Sequence, residues 1–288
     1  MMRKTLIAVG CVAGLTMGPA SGAQAAQMWG AAYDASYSNT KLFRFDTSGN
    51  VVWQRNYGNA FGYFAGDIAQ TPNGNLYVTG ANSNLYRLNP SNGDIIDSWN
   101  VGGFYNALVA DGDDTLYFLD NTNGSNNNGY LGTITLDGSG NYDSHSYDRY
   151  IANAPDADLE WYDGNLLGTF WGDGGPGSDL YFFDEPGDGT DIGTPVQTDL
   201  LYIAGLAWAD DVLYAGSWNN NLNVYSLDPT TGNVESKFDF LDDLDGMYGI
   251  TGLDRVSAVP IPPAALLFGS ALIGLAAIGR RKPAQARA

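Results

Sequence analysis

A unit of 40–50 residues repeats through the middle of the chain, and little else in the sequence restricts the fold as strongly. Residues 66–102 show it most clearly, as GDIAQTPNGNLYVTGANSNLYRLNPSNGDIIDSWNVG. An apolar segment around Ile68 is followed by a Pro72-Asn73-Gly74 turn, then NLYVTG and NLYRLNP, then an Asn92-Gly93 turn into DIIDSWNV. Residues 204–240 copy this order with turn residues at matching offsets. Short apolar-alternating runs joined by Asn-Gly and Asp-Gly turns are hairpin signals. Four of them per 40–50 residues is the length of one four-stranded blade.

Two further copies begin near Leu108 and Leu159. They carry Asn/Gly-rich and Gly/Asp-rich insertions at 121–129 and 172–178, both expected on surface loops. The remaining copy is split. Residues 28–58 match strands two, three and four, and YGITGLDRV at 248–256 matches only a first strand. Joining the two closes a ring and leaves no free sheet edge. The expected fold is therefore an all-β, five-bladed β-propeller over 28–256, closed by a C-terminal first strand. Ile68, Leu108, Leu159, Leu206 and Ile250 are expected at one equivalent position.

KLFRFDTSGNVVWQRNYG also resembles the PQQ-type propeller repeat, and LYRLNPSNGDIIDSW and VYSLDPTTGNVESKF show a weaker form. The resemblance implies the fold. It does not imply quinone chemistry, because the vicinal cysteines of those dehydrogenases are absent.

The two ends have a different character. Residues 1–25 read as a secretory signal peptide, with Arg3 and Lys4 before an apolar stretch and Ala23-Gln24-Ala25 at the cleavage spacing. Cys11 lies within a continuous apolar run, which fits an ordinary signal better than a lipoprotein box. Residues 261–279 carry no charge and are followed by Arg280, Arg281 and Lys282. At about 1.5 Å per residue this stretch can form a transmembrane helix whose basic flank stays cytoplasmic.

Val259, Pro260, Ile261 and Pro262 stand just before that helix. The order of Val-Pro-x-Pro, apolar helix and basic cluster over 259–282 resembles the PEP-CTERM sorting signal, with Ile261 where the founding motif has Glu. The resemblance implies processing by an exosortase and a protein of bacteria that make exopolysaccharide. It also implies anchoring in the inner membrane through the helix, then release to the cell surface or the extracellular matrix.

Charge and composition limit the chemistry. All 32 acidic residues lie between the two ends, while six of the 13 basic residues lie in them, so the body carries seven against 32, a net −25. Such a body repels nucleic acid. The sole cysteine is Cys11 and the sole histidine is His145, expected on the surface of an outer strand. Nucleophile–His and His/Cys–metal arrangements thus have no support.

No cofactor is expected. Calcium is the one metal the oxygen-rich stretches Asp111-Gly112-Asp113-Asp114 and Asp242-Asp243-Leu244-Asp245-Gly246 could suit, though neither has EF-hand spacing. Trp161 and Trp208 sit two residues after the reference position of their blades, and Trp171 and Trp218 twelve after it. These four are candidate glycan-stacking residues, set against the commoner use of repeated aromatics to pack blade on blade.

The sorting tail, the repeat scaffold and the missing nucleophile–base set point to a non-enzymatic surface or matrix propeller that binds a surface protein or the exopolysaccharide that the resemblance implies. The alternative is a secreted carbohydrate-active hydrolase using channel carboxylates at Asp67, Asp158 and Glu160.

Overall fold

The computed structural model describes residues 25–120, 129–151, 158–170, 178–183, 195–218, 222–240 and 243–256. The insertions, Trp171, Asp242 and the expected signal and sorting segments lie wholly or almost wholly outside them. Among the described residues no helix is long and apolar enough to cross a membrane.

These residues form a five-bladed all-β propeller. In chain order, blade one holds β1 (Gln27–Tyr33), β2 (Thr40–Asp46) and β3 (Val51–Gly58). Blade two holds β4 (Ala65–Gln70), β5 (Leu76–Gly80), β6 (Asn84–Leu88) and β7 (Ile95–Asn100). Blade three holds β8 (Tyr105–Ala110), β9 (Thr115–Asp120), β10 (Gly129–Leu136) and β11 (Tyr142–Ile151). Blade four holds β12 (Leu159–Tyr162), β13 (Asn165–Phe170), β14 (Asp179–Phe183) and β15 (Val196–Gln197). Blade five holds β16 (Ile203–Ala209), β17 (Val212–Ser217), β18 (Asn223–Leu227) and β19 (Val234–Asp239). Finally, β20 (Gly249–Arg255) pairs antiparallel with β1 and completes blade one. The expected closure is what the sheet order shows.

One residue of that expectation shifts. β20 pairs with β1 through a register irregularity at Ala31/Ala32. Leu253 lies opposite Gly30 in blade one as Ile68 lies opposite Val78 in blade two, so Leu253 takes the reference position and Ile250 falls three residues before it. An alignment by sequence alone does not register the bulge.

Local chemistry explains the hairpins. The turns between third and fourth strands place Gly49, Gly93, Gly140 and Gly232 at positive φ, where a Cβ is strained. An Asx oxygen closes each turn. Asp46 Oδ1 accepts from Ser48 N, Asn89 Oδ1 from Ser91 N, Asp137 Oδ1 from Ser139 N and Asp228 Oδ1 from Thr230 N. Side-chain hydrogen bonds from Asn141 and Thr230 hold Asp137 and Asp228 below the usual carboxylate range.

Burial falls from the axis outward. First strands β4 and β20 are buried almost throughout, while outer strands β7 and β19 are mostly exposed. The core lies in the seams between blades, where each sheet presses a face on the next. Phe43, Phe45 and Phe240 join blades one and five, and Trp29, Leu42 and Ile68 join one and two. Tyr77, Leu108 and Phe118 join two and three, Leu131, Leu159 and Phe183 join three and four, and Leu180, Leu206 and Leu213 join four and five.

Candidate functional site: an aromatic collar and a stack of channel acids

The first strands line the central channel, and their two ends present different chemistry. At their starting end the residues directly before β4, β8, β16 and β20 are Phe64, Phe104, Tyr202 and Tyr248. Four blades thus put an aromatic residue at one rim of the ring. Trp218, directly after β17, joins this rim through its backbone N–H, which donates to the Tyr202 carbonyl (2.8 Å).

The rings meet over the channel. Phe64 of blade two is edge-on to Phe104 of blade three (5.5 Å) and to Trp218 of blade five (5.0 Å), which is not a neighbouring blade. Tyr33 stacks on Trp218 at 4.4 Å and on Tyr37 at 5.1 Å, and Tyr248 meets Tyr33 edge-on. The Tyr33 hydroxyl donates to the Trp218 carbonyl (2.5 Å), and burial pushes its pKa up. Tyr33 is fully buried, while Tyr37 is 39% and Tyr202 41% exposed. The collar is an aromatic floor with open tyrosines at its edge.

Below the collar the channel is plugged by acids. Asp67, Asp158, Glu160 and Asp254 are all buried. Asp67 and Asp158 directly precede reference residues Ile68 and Leu159; Glu160 and Asp254 directly follow Leu159 and Leu253. Each acid makes the same pair of bonds. One oxygen accepts the N–H of the next residue: Ile68, Leu159, Trp161 and Arg255 respectively. The other reaches across the seam to a first-strand N–H of the next blade: Leu108, Leu206, Trp208 and Gln70 respectively. The neighbouring channel positions are small, and a Cβ on Gly252 would collide with Asp67.

Burial sets the ionisation of these groups. It pushes Asp67 well above the carboxylate range, with the charge of Asp158 adding to the effect. It raises Asp158 to about 8 and Glu160 to about 7. Asp254 is raised by burial and then by the charge of Glu160. At the far end of the channel, Glu160, Asp254, Gln70, Trp161 and Arg255 border a cleft of about 190 Å3.

The four candidate tryptophans therefore separate. Trp161 lies in the seam between blades three and four, edge-on to Tyr117. Trp208 takes the equivalent place between blades four and five, edge-on to Tyr162. Both pack blade on blade. Trp218 alone among the described candidates belongs to the collar. His145 is half-buried rather than a surface residue, with Nδ1 2.7 Å from the Tyr142 hydroxyl and its ring edge-on to Phe118. Asp113 Oδ1 accepts the Asn73 N–H, tying two turns together. Among the described residues no three acidic, His or Cys side chains converge on a cation position.

Sequence reasoning missed Tyr33, Tyr37, Phe64, Phe104, Tyr202 and Tyr248. The signal was an aromatic directly before a first strand in four blades, hidden by the slipped register at β20. Asp254 was missed for the same reason.

No protein-family model matches the chain, and no curated protein matches it. Solved structures with the same fold do. A Bacteroides caccae protein of unknown function aligns at TM-score 0.54 and 10% identity, over 82% of this chain and 100% of that one. Myxococcus xanthus glutaminyl cyclase aligns at TM-score 0.43 and 21% identity, over 75% of each chain. A gluconolactonase-like protein aligns at 0.43 and 16%, over 73% of this chain and 77% of that one.

These likenesses carry the fold and no particular activity. They do overturn the expectation that the chain is not an enzyme, since propellers of this kind include enzymes. Lack of a nucleophile–His set in the composition was not sufficient ground for that expectation.

Proposed function

We propose that the chain is an exported propeller that binds polysaccharide through the aromatic collar, at the cell surface or in the matrix. The observation that carries this reading is the run of stacked rings from Tyr37 through Tyr33 to Trp218, flanked by Phe64 and Phe104 over the channel mouth. Aromatic faces are apolar and flat, and they suit the C–H face of a sugar ring while hydroxyls at the edge bond its oxygens. The strongly acidic body argues against a polyanionic ligand and favours a neutral glycan.

Exopolysaccharide purified from the producing strain, titrated onto the full chain, tests the reading. Trp218→Ala should weaken binding at least about tenfold, which is roughly 1.4 kcal/mol, and leave the melting transition cooperative. Unchanged affinity in Trp218→Ala and Tyr37→Ala alike removes the collar from the function.

A second reading is supported by Glu160 and Asp254 facing one cleft. A buried carboxyl that holds its proton near neutrality can serve as a general acid. Release of new reducing ends in the same incubation, lost in Glu160→Gln, would favour hydrolysis there.

Export and sorting rest on the two sequence ends. Mass spectrometry of the mature C-terminus, with and without an exosortase, is expected to find cleavage near Val259–Pro262 only when the enzyme is present. An intact tail on surface-located protein in both strains would leave a plain membrane anchor.

A further inference from the structure

The open side chains of the collar are not spread evenly around the channel mouth. Four large apolar residues are exposed at this rim: Tyr63 (70%), Tyr37 (39%), Leu201 (55%) and Tyr202 (41%). They belong to blades two, one and five, which are consecutive around the ring. Tyr37 links the three. Its ring lies 6.0 Å from Phe64 of blade two and 6.2 Å from Trp218 of blade five. Trp218 in turn is bonded to Tyr202 through the backbone. The rings therefore run in an arc from Tyr63 and Phe64, past Tyr37, to Trp218 and Tyr202.

Two of these tyrosines are held where tyrosine is unfavourable. Tyr37 has a φ of 54° and Tyr202 of 57°. Glycine adopts this left-handed region freely, and a bulky side chain enters it only at a cost. What tyrosine adds over glycine at both positions is the ring, and strain of this kind gathers at ligand clamps. The loop carrying Tyr37 is also braced. The Tyr37 N–H donates to the Asp34 carbonyl (2.9 Å), while the Asp34 carboxylate accepts from the Ser38 N–H (2.8 Å) and from Asn39 Nδ2 (2.6 Å). A ring fixed in advance loses little freedom when a ligand settles on it.

We infer that the collar recognises a stretch of several linked sugar units, laid along the arc from Tyr63 through Tyr37 to Tyr202, and not a single sugar. The inference rests on the collar being the glycan site proposed above. A sugar ring covers one aromatic face, so rings spread over three blades offer separate contacts to successive units of one chain. A second copy of this chain is a poor occupant, because a body with a net charge of −25 repels its own kind.

The test is a length series. Size-fractionated oligosaccharides from partial hydrolysis of the producing strain's exopolysaccharide, from one unit upward, are titrated calorimetrically onto the full chain. Affinity should rise at least about tenfold from one unit to the longest fraction and then level off. Tyr63→Gly and Tyr202→Gly should each cut the ratio of longest to shortest affinity at least about threefold. Tyr202→Gly also relieves the positive φ, so its melting midpoint should stay level or rise while its length dependence falls.

If no fraction binds, the collar reading and the arc fall together. If one unit binds as tightly as the longest fraction, or if both variants keep the parent's ratio, the arc alone is overturned. Self-association of the full chain that Tyr63→Gly abolishes would assign the arc to a second copy and overturn it too. Should a variant fail to fold, the length series on the parent decides.

Discussion

Deleting residues 248–256 is expected to leave a chain that does not fold. The segment holds β20, which supplies the fourth partner of blade one and pairs with β1 from Met28 to Tyr33. Its loss bares the edge of β1. It also removes Ile250 and Leu253 from the core between blades one and five, and the Asp254 bond to the Gln70 N–H in the next blade. Each buried aliphatic side chain contributes about 1.5–3 kcal/mol, and unpaired buried backbone groups cost about 1–3 kcal/mol each. Together these exceed the 5–15 kcal/mol or so by which typical domains are stable. Circular dichroism and urea titration provide the check. A deletion variant that melts cooperatively at the parent's midpoint would show that the ring closes without β20.

Asp158→Ala should give the largest loss from a single substitution in the channel, about 2–6 kcal/mol. The alanine leaves the N–H groups of Leu159 and Leu206 buried without their carboxylate acceptors, at about 1–3 kcal/mol each. Asp158→Asn keeps one carbonyl oxygen as an acceptor for one of the two N–H groups, and should cost about half as much. Denaturation midpoints at pH 6, with the denaturant slope unchanged, measure the difference. An alanine cost below about 1 kcal/mol would mean that the cross-seam bonds contribute little to stability. Trp218→Ala, at a half-buried rim position, should perturb the fold much less than Asp158→Ala.

Much of the architecture was legible in the sequence because its determinants are local. A hairpin turn needs Gly at positive φ and an Asx oxygen within a few residues, and Asp46 to Gly49 or Asp228 to Gly232 supply both inside one short segment. Repetition of these segments gives the blade count, and the missing first strand of blade one points to its match at the other end. Asp67, Asp158 and Glu160 could be assigned to the channel because they lie at or beside first strands, which line it in a propeller.

The site was decided by tertiary structure. Residues 33, 37, 64, 104, 218 and 248 come from four blades and become one aromatic collar only when closure brings those blade ends to a common rim. Trp161, Trp208 and Trp218 look alike in sequence; ring geometry sends the first two into seams and the third to the mouth. The acids were visible as residues, but not their burial or their bonds across the seams. Those depend on backbone donors that only the closed ring brings from the next blade. The chain itself specifies a ring of five hairpin-built blades. Closure of the ring decides which groups meet at its axis, because contacts across the channel join residues that no local pattern connects.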